Sequence, residues 1–130
     1  MSHLGQIKRG MIVFAPVCEP DGTPVGPHPC LVLSKQSEID AGLDLQVVVG
    51  TTSFSRPLQS GWFDIPSGAG SNTSLRHPTV IKATWTQVIP QRSVISVCER
   101  VPKSIVQQAT NWLRDKLRDA ELKGNEPGKP

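Results

Sequence analysis

The stretch "KSIVQQATNWLRDKLRDAEL", residues 103–122, decides the fold class, because its period differs from that of everything before it. Ile105, Val106, Ala109, Trp112, Leu113, Leu117 and Ala120 recur at helical spacing and predict one amphipathic helix with a single apolar face. Ser104 and Gln107 stand at the capping-box offset, and Gly124 is the expected stop. Arg114, Lys116 and Arg118 alternate with Asp115 and Asp119, which describes a solvated face rather than a binding surface.

Upstream of Pro102 the apolar residues come in short runs bounded by Gly, Pro and polar residues, as strands do. The runs are "RGMIVFAPV" (9–17), "CLVLS" (30–34), "LDLQVVVGTTS" (43–53), "GWFDIP" (61–66), "TVIKATW" (79–85) and "SVISVCERV" (93–101). "CEPDGTPVGPHP" (18–29) reads as a long loop with Asp21-Gly22 as its turn signal and four prolines stiffening it. "SGAGSN" (67–72) reads as a second loop. Five or six short strands followed by one helix predict a small, strongly curved antiparallel sheet or partly open barrel, with the helix packed across one opening. The expected organisation is a single domain over 1–123 and a disordered tail over 124–130, where "GNEPGKP" has nothing to bury.

A chain of 130 residues has room for one core and not for two ordinary domains. Its 37% hydrophobic and 19% charged residues describe a globular protein, and 12 prolines with 11 glycines favour many turns. No apolar run approaches the roughly 20 residues that cross a bilayer, and the N-terminus lacks the layout of a secretory leader; the expected address is the cytoplasm, with no membrane partner. Cys18, Cys30 and Cys98 are odd in number and widely spaced, so neither a disulfide framework nor a metal site is expected, and no cofactor. A formal charge of +3 and an isoelectric point near 9.0 fit an acidic partner without naming one.

The succession "KRGMIVFAPV", "GPHPCLVLS", "VVVGTTSFSRP" and "LRHPTVIKATWTQVIPQRSV" resembles, in order and spacing over residues 7–118, the MazF/PemK toxins of type II toxin–antitoxin systems. The resemblance implies a mainly β fold with α: an SH3-like small antiparallel β-barrel with a C-terminal helix, a fold shared with the CcdB toxins. It further implies a homodimer, a cognate antitoxin, and metal-independent cleavage of single-stranded RNA. In that family an Arg-Pro pair precedes the strand resembling "CLVLS", and the arginine is catalytic; here the pair is His28-Pro29. The family's threonine after the next strand falls on Thr52. Trp85 stands where the family tends to carry a polar or acidic residue.

Cleavage by 2′-hydroxyl attack needs a proton acceptor, a proton donor for the leaving oxygen, and positive charge or hydrogen bonds on the phosphoryl oxygens. An imidazole exchanges protons near neutral pH, whereas a guanidinium is a permanent charge and an awkward base. His28 is therefore expected in proton transfer and Thr52 in phosphate contact, with Ser53, Arg56, Arg76 and His77 as further RNA-binding candidates. Trp62 and Phe63 offer faces on which bases stack. Each has an ordinary reading too: His28 as a histidine between two prolines, the Thr51-Thr52-Ser53 run as a strand turning into a loop, and Arg56 as a solvated charge. The competing function is a catalytically degenerate barrel that binds RNA or protein without cutting, including CcdB-like inhibition of a protein target.

Overall fold

The computed structural model describes residues 7–19, 21–65 and 77–124. In chain order the elements are β1 (Met11–Cys18), β2 (Pro24–Val32), α1 (Gln36–Asp40), β3 (Leu45–Thr51), β4 (Trp62–Ile65), β5 (Thr79–Ile89), β6 (Ser96–Arg100) and α2 (Lys103–Gly124). The strands form one antiparallel sheet in the order β4-β5-β3-β2-β1-β6. The expected "SGAGSN" loop and the tail beyond Gly124 lie outside the described residues.

Apolar residues are continuous along the central strands because both faces of the sheet are covered. Val13, Ala15, Cys30, Val32, Val47 and Val49 face one core, closed by Ile39 of α1 and by Ile89 and Val94. Their neighbours Ile12, Leu31 and Val48 face the other, which Ile105 and Ala109 of α2 cover. Full burial of each such side chain is worth about 1.5–3 kcal/mol, so the two cores together carry the fold. Gly50 sits where β2, β3 and β5 crowd together: a Cβ there would meet the carbonyl oxygens of Val80 at 2.9 Å and Pro29 at 3.1 Å.

Several boundaries differ from the sequence-based expectation, each for a physical reason. The second half of the supposed 18–29 loop is strand, because β2 starts at Pro24. Between Pro24 and Pro29 it pairs with β1, and its pairing with β3 covers only Cys30 to Val32. The prolines therefore lie where one strand edge is open, and a missing N–H is tolerated there. Strand β5 continues past Trp85 to Ile89; its register against β3 jumps from Val49↔Lys82 to Val48↔Thr86, leaving Ala83, Thr84 and Trp85 as a three-residue bulge. The polar linker after β2 contains α1, whose Ile39 reaches the core.

Helix α2 begins at Lys103, which puts Ser104 inside the first turn rather than at the cap. Its apolar face is buried through Ala109, but Leu117 is 66% exposed and borders an open groove beside Leu33 and Gln46. Trp112 ties the helix to the start of β4: its indole N–H donates to Ser60 Oγ at 3.2 Å, and its ring lies against Gly61.

Candidate functional site

His28 lies on the open-edged part of β2, across from Ala15 of β1, and is half-buried. Its Nδ1 is 3.3 Å from the carbonyl oxygen of Gly26. A carbonyl only accepts, so this contact is a hydrogen bond when Nδ1 carries the proton, and Nε2 is then left with its lone pair. The ring meets Trp85 in an edge geometry, with centroids 5.5 Å apart and planes inclined at 61°.

Trp85 reaches His28 because the β5 bulge swings it out of register, and two hydrogen bonds hold it there. Its Nε1–H donates to the carbonyl of Cys18 at 3.1 Å, and the Cys18 N–H donates to Gln87 Oε1 at 3.1 Å. The end of β1 is thus stitched to β5 across the face on which His28 sits. Inside this layer the Cys30 thiol is pushed up to about 12 by burial, so it is a packed apolar group and no nucleophile.

The same face continues across the sheet. Val49, Lys82 and Trp62 are cross-strand partners, as are Thr51, Val80 and Asp64. Lys82 Nζ stands 4.5 Å from the Trp62 ring centroid and 5.9 Å from that of Trp85. Glu19, Trp62, Lys82, Thr84 and Trp85 line an open hollow of about 300 Å³. The Trp62 indole N–H is buried without an acceptor among the described residues.

Thr52 follows the last residue of β3 and is exposed, and its hydroxyl has no hydrogen-bond partner among the described residues. Thr51, by contrast, is engaged locally: its Oγ1 accepts from the Ser53 N–H at 3.0 Å and donates to the Ser53 carbonyl at 3.2 Å. The β2–β3 pairing ends at Cys30↔Val49, two residues short of His28 on β2 and three short of Thr52 after β3. Ser53 is exposed in the same turn.

Arg56 is committed to a carboxylate. Its Nη2 and Nη1 bind Asp64 Oδ1 and Oδ2 at 2.7 and 3.1 Å, and its guanidinium lies over Phe54 at 5.5 Å. The bidentate contact holds the Asp64 carboxyl below the usual carboxylate range and raises Arg56. His77 is exposed just before β5, at the strand end that carries the Thr51–Val80 pair, and its carbonyl accepts from Thr79 Oγ1 at 3.0 Å. Arg76 lies outside the described residues.

The structure thus sets His28 against Trp85, places Thr52 and Ser53 in the turn after β3, and points the charge of Arg56 at Asp64. Sequence reasoning missed Lys82 and the contact of Trp85 with His28. A lysine inside "TVIKATW" was the available signal, since a charge in a buried run needs a reason. Among the described residues, no three His, Cys, Asp or Glu side chains group as a metal site.

The model of the PemK-like, MazF-like toxins of type II toxin–antitoxin systems matches residues 8–117. The chain belongs to this family. Two solved structures share the fold of this PemK/MazF-like chain. A structure described as an endoribonuclease from a mycobacterial species is 16% identical with a TM-score of 0.61, over 88% of this chain and 93% of the other. The Mycobacterium tuberculosis toxin MazF-mt6 is 16% identical with a TM-score of 0.63, over 83% of this chain and 96% of its own. No curated protein matches the chain. Within the PemK/MazF-like frame, the six-stranded antiparallel sheet and the C-terminal helix are the part shared with these structures.

Proposed function

We propose that this PemK/MazF-like chain is an RNA-cleaving toxin that cuts single-stranded RNA, with His28 in proton transfer and Thr52 in phosphate contact. The carrying observation is the His28 ring itself: Nδ1 is 3.3 Å from the Gly26 carbonyl, so that with the proton on Nδ1 the Nε2 lone pair is the acceptor, and the ring packs against the Trp85 indole. Family membership supplies the chemical setting.

In the proposed step the ribose 2′-oxygen bonds to the adjacent phosphorus and the bond from phosphorus to the 5′-oxygen breaks. The 2′-hydroxyl proton passes to His28 Nε2, the leaving 5′-oxygen takes up a proton from solvent water, and the imidazolium returns its proton to solvent. The products are a cyclic 2′,3′-phosphate and a free 5′-hydroxyl. Thr52, with its unengaged hydroxyl, and Ser53 donate hydrogen bonds to the phosphoryl oxygens. Arg76 and His77 contact the strand beyond. Arg56 contributes only as far as Asp64 releases it. The reaction is proposed to need no metal, the protein to act as a homodimer, and an antitoxin to hold it in check.

The test is incubation of the purified protein with mixed-sequence single-stranded RNA in EDTA, followed by mapping of the cut ends. Wild type leaves cyclic phosphates, and His28→Ala and Thr52→Ala each lower the rate, the first by about 10²- to 10⁴-fold. Cutting that survives both changes removes the site assignment. Salt-dependent RNA binding with no cutting by wild type supports the competing reading of a degenerate binding module. Light scattering at about twice the 14.1 kDa chain mass checks the dimer.

A further inference from the structure

We propose that Lys82 is the residue that holds the phosphate at this site. The inference rests on the RNA-cleaving reading above and fills a role that His28 and Thr52 leave open. Attack on a phosphodiester builds negative charge on the phosphoryl oxygens, and the site needs fixed positive charge or aligned donors there. A neutral imidazole accepting a proton supplies no such charge, and a threonine hydroxyl supplies only a dipole.

Among the described residues, Arg56 and Lys82 are the arginine and lysine side chains that lie near this face. Arg56 is chelated by Asp64, so a carboxylate cancels much of its field. Lys82 has no carboxylate within ion-pair distance among the described residues, and its ammonium faces two indoles instead. A lysine in mid-strand would ordinarily swing freely into water. Here the ammonium stands 4.5 Å from the Trp62 ring centroid and 5.9 Å from that of Trp85, an attraction of cation to ring that uses none of its N–H groups on an oxygen acceptor. Trp62 serves as the floor of this arrangement: its own N–H is buried without an acceptor among the described residues.

The bulge in β5 gives the arrangement its reach. Trp85 is displaced from the ladder so that one indole touches both His28 and Lys82. Lys82 on β5 aligns through Val49 with Cys30 on β2, so it is two strands from His28, about 10 Å across the ladder and roughly 7 Å along it. A phosphate over Trp85 therefore lies between a proton acceptor on one side and an ammonium with free donors on the other.

The experiment uses a mixed-sequence single-stranded RNA whose riboses are all 2′-O-methylated, which removes the attacking hydroxyl, and the unmodified strand for cutting. Binding is followed by fluorescence anisotropy over a salt series. Lys82→Gln is expected to weaken binding about three- to tenfold and to lower the slope of log Kd against log salt by about 0.7, the value of one lost single-strand phosphate contact. It should also slow cutting, and Lys82→Arg should restore slope and rate. Lys82→Met, which keeps the aliphatic stem between the indoles, should behave like Lys82→Gln and carries the test if the glutamine variant unfolds. Wild-type slope and rate in Lys82→Met overturn the proposal, as does equal impairment of Lys82→Arg, since packing alone would then explain the residue. A wild type that neither binds nor cuts sinks the RNA-cleaving reading; a wild type that cuts while Lys82→Met cuts equally well removes Lys82 alone.

Discussion

The His28 imidazole and the Trp85 indole meet edge-on, 5.5 Å between centroids and inclined at 61°. Trp85 is held in turn by the hydrogen bond from its Nε1–H to the Cys18 carbonyl. Trp85→Leu removes both the ring and that bond. It should lower RNA cutting more than binding of a non-cleavable strand, and destabilise the fold by about 1–3 kcal/mol. Trp85→Phe keeps a ring against His28 and should cost about 0.5–1.5 kcal/mol while retaining most of the cutting. Urea unfolding and rate measurements check the pair; normal cutting by Trp85→Leu would show that His28 does not depend on this neighbour.

Asp64→Asn should release Arg56 and remove one negative charge from the face that carries Lys82. Expected are roughly two- to fivefold tighter binding of a 2′-O-methylated strand and a steeper salt dependence, from the freed cation. The pair's own contribution to stability is small, because both side chains are exposed, at 59% and 55%. Its sign follows from the lowered Asp64 carboxyl: the contribution is present above the unfolded carboxyl value near about 4 and is lost as pH falls through the lower folded value. Acid titration of wild type against Asp64→Asn should show the difference between them changing with pH in that range alone.

Cys30 and Cys18 should separate in their reactivity. Burial pushes the Cys30 thiol up to about 12, whereas Cys18 is half-buried at the end of β1. Iodoacetamide at about pH 8 should therefore label Cys18 in the native protein and spare Cys30, with both labelled in urea. Raising the pH past about 9 ionises the unfolded thiol first, so the stability associated with a protonated Cys30 declines between about 9 and about 12. Peptide mapping by mass spectrometry decides it, and rapid native labelling of Cys30 would contradict the packing described here.

Gly61→Ala should destabilise the protein by about 2–4 kcal/mol. Gly61 has φ +86°, a conformation that costs an L-residue roughly 1–2 kcal/mol, and its added Cβ would stand 2.8 Å from the Trp112 ring. Denaturant unfolding monitored by tryptophan fluorescence measures the loss. A change under 0.5 kcal/mol, on the order of an ordinary surface substitution, would mean that α2 shifts freely over β4.

Much of the architecture was legible in the residues. The runs "RGMIVFAPV", "CLVLS" and "LDLQVVVGTTS" became β1, the buried end of β2, and β3, because continuous β-branched and apolar segments need cover on both faces. The change of period after Pro102 marked α2. The proline-rich chain at 24–29 has the sequence of a loop, because a proline says nothing about which neighbouring edge is unpaired, and here β3 leaves that edge open. The spacing of Leu117 predicts a core position, but spacing does not tell where along a helix the core ends.

For the site, the sequence by itself determined the chemistry on offer: an imidazole before a buried strand, hydroxyls at the end of the next, and a few unclustered cations. What only the tertiary structure decided is which of these groups meet. The contact of His28 with Trp85, the grip of Asp64 on Arg56 and the seat of Lys82 between Trp62 and Trp85 all depend on strand order and on a three-residue bulge in β5. Such pairings join residues far apart in the chain, and the long-range register that creates them is set by how two cores fill at once, which local period does not encode.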